Sequence, residues 1–528
     1  MTAPEREQAR LPGRPDHEVV VIGAGPSGIV AGIKLKRAGI DDFVILDRAG
    51  DLGGTWRDYC YPGIAVDVPV PWYEYSFARN REWSRLFPEG YEINAYHHRV
   101  AHEHGLDPHF RFHTEVLRQV WDDSGHFWRL HLADGKTLTC RFLITAVGAF
   151  VDVNDPRIPG AADFSGRILR PARWDPDFDY SGKRVAVVGT GACAIQIVPG
   201  MARTAAALTV YQRTPSYCWP RPDFPLPKWL AGAMGSKPFG RAMDAGGFAV
   251  LDLGIYGLTH LPNPVMAPGM KAVDWATKRA YRAYLALMFP DRPELRSALA
   301  PAYGVIGKRP TASNTYLQAF RKSNVELVAE PIERITDTGI VSADGLEREF
   351  DVLVLATGQQ VFSDPEYYKP GMIVGRDGFD LGEFYAEHGL QAYESAAVPG
   401  IPNRWMISGP YSWGHSLHPM AENVAYHAAR AIAAARERGA TLVEVRREVH
   451  DAYHATVLGR GENIHYYFKD LNRGLRTYYI NSQGQMAALR RTSNIGLMVR
   501  SMRAPLAGYR CETIAVQQGS TPLRQAAR

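Results

Sequence analysis

The chain of 528 residues has only five cysteines, and no two of them are spaced as CxxC. Neither a disulfide framework nor a zinc site held by cysteine is therefore indicated. Charge of one sign is not in excess either, since 60 Lys and Arg stand against 55 Asp and Glu, for a formal net charge of +5. This balance excludes a dedicated polyelectrolyte binder, and we expect no nucleic-acid partner.

Long apolar runs are also missing. The most apolar stretch, GGFAVLDLGIYGL, contains an acid and is shorter than the roughly 20 residues that cross a bilayer, so no membrane span is expected. The first residues, MTAPEREQARLPGRPDHE, are polar and include no apolar segment of a secretion signal. Together with the scarce cysteines and the length, these features predict a soluble, cytoplasmic protein of two or three domains.

The first informative motif of the sequence is a glycine-rich turn between a predicted apolar strand and a predicted helix. The turn reads Gly23-Ala-Gly25-Pro-Ser-Gly28. Gly23 permits the tight turn, Gly25 lets the backbone approach a pyrophosphate, and Gly28 allows close helix packing. Asp47 ends the next predicted strand, where a carboxylate accepts hydrogen bonds from a ribose. These features together predict a dinucleotide site.

A second copy of the turn reads Gly189-Thr190-Gly191-Ala192-Cys193-Ala194, with alanine in the third glycine place. The strand after its helix ends in Arg213 and Thr214 rather than in an acid. A carboxylate would repel a 2′-phosphate, whereas Arg213 can bind one through its planar fork and Thr214 can add a hydroxyl. This site therefore predicts NADPH, and two dinucleotide sites in one chain predict a hydride passed from NADPH to a bound flavin.

Residues 53–67, GGTWRDYCYPGIAVD, lie between the two turns and fit the pattern GGxWxxxxYPGxxxD in full. The pattern FxGxxxHxxxW fits at Phe164, Gly166 and Trp174 but departs at Arg170, which replaces histidine. On these motifs the chain, from about residue 17 to 503, resembles the Baeyer–Villiger type of flavin-containing monooxygenase.

The resemblance implies FAD and NADPH as cofactors, and dioxygen and a small, apolar ketone as reactants. The ketone would become an ester or lactone through a peroxide at the flavin C4a atom. Three further matches are implied: Gly54, Thr55 and Trp56 beside the flavin, the Lys308-Arg309-Pro310 segment with the catalytic arginine, and Gly409-Pro410 as a carboxy-terminal flavin-binding turn. Arg309 would hold the peroxyanion and polarise the carbonyl, Asp67 would orient Arg309, and Lys308 would reach the 2′-phosphate.

The predicted fold class is α/β, with two Rossmann-like dinucleotide-binding domains and a helical insertion. The predicted division has five parts: FAD domain 1–150, NADPH domain 151–220, helical insertion 221–300, NADPH domain 301–394 and FAD domain 395–528. The turns Ala146-Val-Gly148 and Ala356-Thr-Gly358 are the predicted crossings between the two domains. The stretch 477–496, rich in Gly, Asn and Ser, is expected to order when cofactor binds.

Three alternatives remain at this stage. Arg170 leaves room for an N- or S-oxygenase, because arginine only donates hydrogen bonds whereas histidine also accepts them. A disulfide reductase is disfavoured, because it would need a second cysteine near Cys60, which stands alone. The third alternative is a flavoprotein scaffold without catalysis, which nothing in the intact glycine turns supports. Trp413 and His415 are weaker candidates for lining the flavin. The aromatic segments 71–75, 220–299 and 411–415 are candidates for the walls of a substrate cavity. No metal site is expected at His97-His98.

Overall fold

The structure is a computed structural model that describes residues 15–414, 416–503 and 506–514. Two separate sheets built around parallel strands dominate it, each with one of the glycine turns at its centre. The predicted α/β class with two Rossmann-like units and a helical insertion is confirmed. Among the described helices, none combines the length and the apolar character that a bilayer crossing requires.

The first sheet has eight strands and holds the first glycine turn. In spatial order they are Ile373–Val374, Val116–Asp122, Phe127–Leu132, Thr137–Thr145, His17–Ile22, Phe43–Leu46 and Phe110–Arg111, and the eighth, Arg404–Met406, pairs with Thr137–Thr145. His17–Ile22 runs parallel to both neighbours and carries the fully buried run Val19 to Val21. Such a continuous apolar run is typical of a strand covered on both faces.

The second sheet has five strands, all parallel to their neighbours. In spatial order they are Val325–Val328, Ala207–Tyr211, Arg184–Val188, Val352–Leu355 and Arg167–Leu169. A hairpin-like sheet of Ile332–Ile335, Gly339–Ser342 and Glu347–Glu349 lies between two of these strands in sequence. The strand order places the glycine turn after the central strand Arg184–Val188, where parallel α/β sheets bind ligands.

A two-stranded antiparallel ribbon joins the two sheets, formed by Phe150–Val153 and Gln359–Val361. Both strands begin just after the predicted crossings, at Gly148 and Gly358, whose φ angles of 84° and 95° favour glycine. The chain then re-enters the first sheet at Ile373–Val374, ahead of the predicted boundary at residue 394. That return is invisible in the sequence because the strand is only two residues long.

The insertion is helical. Its helices are Lys228–Met234, Lys237–His260, Asn263–Met288 and Pro293–Ala298. The other α-helices are Pro26–Arg37, Thr55–Asp58, Gly90–Glu103, Ala194–Met201, Tyr316–Ala319, Leu381–His388, Leu417–Glu437, Arg447–Tyr466 and Asn494–Arg503. Two small sheets pair Cys218–Trp219 with Thr311–Ala312 and Leu442–Val445 with Tyr509–Glu512.

The carboxy-terminal helix Leu417–Glu437 completes the first unit by packing on the helix Pro26–Arg37. It buries a stripe at helical spacing: Ala421, Ala425, Ala428, Ile432 and Ala435. Small side chains let the two helices approach closely. Glu422 adds polar contacts, because it accepts hydrogen bonds of 2.7 Å from both the amide and the hydroxyl of Ser76 and lies 3.4 Å from the Lys34 ammonium.

Candidate active site

The first glycine turn is sterically closed. Gly23 has φ of 107°, and a Cβ there would lie 2.5 Å from the carbonyl oxygen of Ala146. A Cβ on Gly28 would lie 1.8 Å from the Gly23 carbonyl oxygen, so a side chain at either place requires the backbone to move. Gly25 precedes the helix Pro26–Arg37, whose first turn has no side-chain cap. Its free N–H groups and positive dipole end can hold phosphate.

The predicted flavin segment lies directly against this turn. Gly54 begins the short helix that contains Thr55 and Trp56, and its Cα lies 3.5 Å from the position that a Cβ of Gly25 would take. Trp56 is buried, and its indole nitrogen donates a 3.1 Å hydrogen bond to the hydroxyl of Tyr73. Gly25 and Gly54 therefore face each other with no side chain between them.

Asp47 stands at the end of the strand Phe43–Leu46 and is mostly buried. Its carboxylate accepts hydrogen bonds from the amides of Ala24, at 2.8 Å, and Ala49, at 2.9 Å. Arg57 from the flavin segment approaches it to 3.4 Å. The structure thus places Asp47 beside the first glycine turn and leaves lone pairs on both oxygens for a ribose hydroxyl.

The second turn is more open. Gly189 has a φ of 116°, and a Cβ there would lie 2.4 Å from the carbonyl oxygen of Ala356. This contact matches the one between Gly23 and the carbonyl of Ala146 in the first turn. Gly191, in contrast, has no atom within 4 Å of the place where a Cβ would stand. The Thr190 hydroxyl donates a 2.8 Å hydrogen bond to the Thr214 carbonyl, and Ala194 begins the helix fully buried.

Two cations border this second turn. Arg213 is exposed, and Lys308 is partly buried with its ammonium 5.6 Å from the centre of the Tyr303 ring. Burial lowers the pKa of Lys308, and the positive charge of Arg213 lowers it further. Neither side chain has a carboxylate partner in the part of the chain that the structure describes. Two neighbouring cations without carboxylate partners can together bind an anion.

Arg309 and Asp67 form an ion pair, with 2.8 Å between Nη2 of the guanidinium and Oδ2 of the carboxylate. The charge of Asp67 raises the pKa of Arg309, and the phenol groups of Tyr478, Tyr479 and Tyr73 add to that effect. The side chains are 43% and 37% exposed, so the pair can meet a ligand from solution. The fold thus brings into contact two residues that are 242 positions apart in sequence.

The segment that carries Asp67 also joins the two dinucleotide units. The Tyr61 hydroxyl donates a 3.0 Å hydrogen bond to the Gln196 side-chain oxygen, and the Gln196 amide donates one of 3.0 Å to the Ala65 carbonyl. A Cβ on Gly63 would lie 2.7 Å from the Gln196 carbonyl oxygen, so the loop is in close backbone contact with the helix Ala194–Met201. Asp67 is therefore fixed relative to the second turn.

The segment in which Arg170 replaces histidine continues the edge strand Arg167–Leu169 of the second sheet. Trp174 packs edge-on against Tyr61, with 6.2 Å between ring centres. Arg170 itself lines an open cavity of about 470 Å³ together with Asp152, Asp155 and Arg173. This cavity lies beside the interdomain ribbon, since Asp152 belongs to the strand Phe150–Val153.

Of the carboxy-terminal candidates Gly409, Trp413 and His415, the structure describes the first two. Gly409 turns the chain after Arg404–Met406, where a Cβ would lie 2.4 Å from the Ser395 carbonyl oxygen. Trp413 packs edge-on against Tyr478, at 5.2 Å between ring centres, and so contacts the tyrosine pair beside Arg309. His415 lies outside the described residues.

Sequence reasoning missed Gln196, although this residue had a detectable signal, because it is polar within the otherwise apolar stretch AIQIV. Tyr73 belongs to the aromatic segment 71–75, a candidate cavity wall, and Tyr478 and Tyr479 belong to the stretch 477–496. The sequence did not place any of the three beside Arg309, since aromatic residues usually fill cores. His97 is buried with its Nε2 2.9 Å from that of His418, and across the described residues no group of three potential metal ligands occurs.

The fold and the two glycine turns define an oxidoreductase with two dinucleotide sites. A family model described as pyridine nucleotide-disulphide oxidoreductase matches residues 20–224. The Baeyer-Villiger monooxygenase of Streptomyces coelicolor is 39% identical over 399 residues, 74% of this chain and 73% of that protein. The Baeyer-Villiger monooxygenase of Pseudomonas aeruginosa is 34% identical over 439 residues, 83% of this chain and 81% of that protein. The chain belongs to the family of Baeyer–Villiger monooxygenases.

Solved structures agree with this assignment. A cyclohexanone monooxygenase bound to epsilon-caprolactone matches with a TM-score of 0.79 and 26% identity, over 94% of this chain and 99% of that one. An oxidized steroid monooxygenase bound to NADP matches with a TM-score of 0.81 and 26% identity, over 95% and 100%.

The protein is therefore a flavoprotein monooxygenase that uses FAD and NADPH to insert oxygen beside a ketone carbonyl, with a small molecule and dioxygen as reactants. The N- or S-oxygenase alternative is not favoured. All five cysteines are free, and Cys60 has no disulfide partner of the kind that a disulfide reductase requires.

Proposed function

We propose that the substrate is an apolar ketone bound at the Arg309–Asp67 pair, and that Arg309 is the catalytic cation. The observation that carries the proposal is the 2.8 Å ion pair, with Tyr73, Tyr478 and Tyr479 near enough for their phenol groups to raise the pKa of Arg309. The tyrosine rings supply apolar surface, and the guanidinium donors that Asp67 leaves free supply a polar anchor. That combination suits a molecule whose only polar group is a carbonyl.

Arg309 performs two tasks in this scheme. Its guanidinium stays charged at every working pH, and the charge of Asp67 raises its pKa further. It can therefore donate hydrogen bonds to the ketone oxygen as negative charge develops there, and to an anionic oxygen that attacks the carbonyl carbon. Asp67 occupies one Nη atom and leaves the other donors of the fork free, so it orients the cation without consuming it.

The first glycine turn fits FAD. Gly23, Gly25 and Gly28 leave the backbone bare at a helix start that has no side-chain cap, and Asp47 stands at the ribose position. Bound there, FAD would supply electron transfer and oxygen activation. Gly54, Thr55 and Trp56 would close the flavin side of the cradle, and Gly409 would turn the carboxy-terminal chain toward it.

The second turn fits NADPH. Gly189, Thr190, Gly191 and Ala194 would hold its pyrophosphate at the start of the helix Ala194–Met201. Arg213 and Lys308 would hold the 2′-phosphate from two sides, with the Thr214 hydroxyl as a further donor. Support comes from the effect of the Arg213 charge, which lowers the pKa of Lys308, and from the lack of carboxylate partners for both cations within the described chain.

The division of the chain into an FAD domain of 1–150 with 395–528, an NADPH domain of 151–220 with 301–394, and an insertion of 221–300 stays a proposal, except that the strand Ile373–Val374 pairs in the first sheet and returns the chain to the FAD domain ahead of residue 395. A cytoplasmic location is proposed as well, on the five free cysteines, since secreted proteins of this size commonly pair theirs.

The test is Arg309→Ala, with ester formation and NADPH oxidation measured separately on a cyclic ketone. We expect ester formation to fall about 10²- to 10³-fold, as for the loss of one oxyanion donor. NADPH oxidation should continue with release of hydrogen peroxide, because the FAD and NADPH sites are unchanged. Arg309→Lys should recover only part of the loss, since an ammonium lacks the planar fork.

Arg184→Ala is the matched control. Arg184 also pairs with an aspartate, at 2.9 Å from Asp351, and is 44% exposed, but it lies at the amino end of a strand. Ester formation that survives in Arg309→Ala, or that falls equally in Arg184→Ala, would overturn the assignment. Oxidation of a thioether but not of a ketone by the unmodified enzyme would overturn the substrate class.

A further inference from the structure

The helical insertion exposes large apolar side chains to an unusual extent. Those between residues 224 and 287 are Phe224, Trp229, Phe239, Val250, Leu253, Leu261, Val265, Val273, Trp275 and Leu287. Trp275 is 65% exposed and Leu287 is 82% exposed. Single exposed apolar residues are normal on any protein, but a concentration of them marks an interaction surface.

The helix Asn263–Met288 contributes four of these side chains, and its outer side is an uncharged face with Val265 and Leu287 at its ends and glycine and alanines between them. Its inner stripe, which includes Asp274, Tyr281 and Leu285, is buried. Its outer stripe follows at spacings of four and three residues and is exposed throughout: Val265, Gly269, Ala272, Ala276, Ala280, Ala283 and Leu287. This outer stripe is about 33 Å long at 1.5 Å per residue and contains no polar side chain.

A cationic stripe runs beside the apolar one. Lys271, Trp275, Arg279 and Arg282 follow at spacings of four, four and three residues and are all exposed. The guanidinium of Arg279 lies 5.8 Å from the centre of the Trp275 ring, which confirms that the two side chains share one flank. Basic residues with tryptophan beside an apolar face are typical of a helix that lies in a lipid–water interface.

The acids within residues 224–290 all contact groups elsewhere in the protein, whereas the exposed acids of the insertion, Asp291 and Glu294, follow the end of the helix. Residues 224–290 contain three acids, Asp244, Asp252 and Asp274. Asp244 pairs with Arg79, and Asp252 accepts hydrogen bonds from the Asn494 amide, at 2.9 Å, and the Ser493 hydroxyl, at 2.8 Å. Asp274 is buried and accepts a 2.9 Å hydrogen bond from the Tyr467 hydroxyl. Every exposed charge between these limits is therefore positive.

We propose that the outer face of the helix Asn263–Met288 binds the surface of a membrane that contains anionic lipids. The apolar stripe would enter the headgroup boundary, with Lys271, Arg279 and Arg282 on lipid phosphates and Trp275 at the interface. A second copy of the chain fits the same face less well, because it would bring two cationic stripes together without a carboxylate between them. This inference rests on surface composition and does not depend on the roles of Arg309 and Asp67.

The experiment is vesicle flotation of the full-length holoenzyme, with neutral phosphatidylcholine vesicles and with vesicles that also contain phosphatidylglycerol. We expect flotation with the anionic vesicles only, and a loss of binding as salt is raised. The triple variant K271Q/R279Q/R282Q should weaken binding roughly a hundredfold, at about fivefold for each cation. The triple variant V265S/W275S/L287S should weaken it about tenfold or more.

Matched controls are Y91S/L117S/L346S, three apolar residues that are 69%, 54% and 56% exposed outside the insertion, and K369Q/R438Q/R447Q, three exposed cations elsewhere. Both should bind vesicles as the unmodified enzyme does. Equal loss in the controls, or no flotation of the unmodified enzyme with anionic vesicles, would overturn the proposal. Sedimentation velocity without lipid tests the alternative: self-association abolished by V265S/W275S/L287S would assign the face to a second copy.

Discussion

The two glycine turns of this enzyme share one backbone plan but differ in how much room they leave. In each, a glycine with positive φ lies against a carbonyl of a neighbouring strand end, Gly23 against Ala146 and Gly189 against Ala356. In the first turn, the helix approaches so closely that Gly28 has no space for a Cβ. The second turn accepts Ala194 at the equivalent place, with the side chain fully buried.

The same difference extends outward from the turns. Gly25 lies against Gly54, so the first turn is covered by another part of the chain, whereas Gly191 has open space around it. Asp47 is mostly buried beside the first turn, while Arg213 beside the second is exposed. A covered site suits a cofactor that stays bound through many turnovers, and an open one suits a cofactor that must enter and leave in each.

Matched substitutions at the two turns give the largest expected contrast. In Gly28→Ala the added Cβ meets the Gly23 carbonyl at 1.8 Å, so the helix must shift away from the phosphate site. We expect a loss of about 1–3 kcal/mol or more of stability and purification largely without FAD. Gly191→Ala should keep its FAD and its melting temperature, and raise the KM for NADPH only a few-fold. Flavin absorbance and thermal unfolding measure both.

Equal FAD content in the two variants would contradict the contrast. Ala192→Gly is a useful control, because it changes the same turn without adding atoms; it should leave FAD content unchanged.

Removal of a cation from the second site should alter cofactor choice by the next largest amount. Arg213→Ala should lower the ratio of kcat/KM for NADPH to that for NADH roughly 10- to 150-fold, the value of a hydrogen bond to a charged group. Lys308→Ala should act in the same direction. Steady-state kinetics with both nucleotides tests this, and an unchanged ratio in both variants would remove the two cations from the 2′-phosphate site. Neither substitution should change FAD content.

Lys308 should also make NADPH binding sensitive to alkaline pH. Its pKa is lowered by burial and by Arg213, and only its protonated form attracts a phosphate. The KM for NADPH should therefore rise as pH increases through this lowered pKa, below the ordinary lysine value of 10.5. Lys308→Arg keeps its charge and should abolish the rise. A KM profile identical in the two proteins would contradict this role, and NADH, which lacks the phosphate, should show little dependence.

The smallest expected effect concerns the contact between the two units. Tyr61→Phe removes the hydrogen bond to Gln196 and should lower the free energy of unfolding by about 1 kcal/mol, and Gln196→Ala, which loses two bonds, by more. Tyr59→Phe is the control, since the Tyr59 hydroxyl bonds to no residue that the structure describes. Denaturant unfolding followed by flavin and tryptophan fluorescence measures each loss. Equal stability of Tyr61→Phe and Tyr59→Phe would contradict it.

Local sequence was sufficient for the two glycine turns and for the class of fold. A strand, a glycine turn and a helix are neighbours in the chain, so their residue types report directly on a shared geometry. The resemblance of residues 53–67 to a family pattern then identified the chemistry, which the relatives confirm. The roles of individual site residues stay predictions.

Only the tertiary structure decided which distant residues share the site. Asp67 meets Arg309 because the loop of residues 61–65 is fixed on the helix Ala194–Met201, a contact that depends on Gln196. Tyr478 and Tyr479 reach Arg309 through packing on Trp413. Such contacts depend on how two units are oriented, and that orientation is set by many weak interactions between residues far apart in sequence. The spacing of residues along the chain therefore does not predict this orientation.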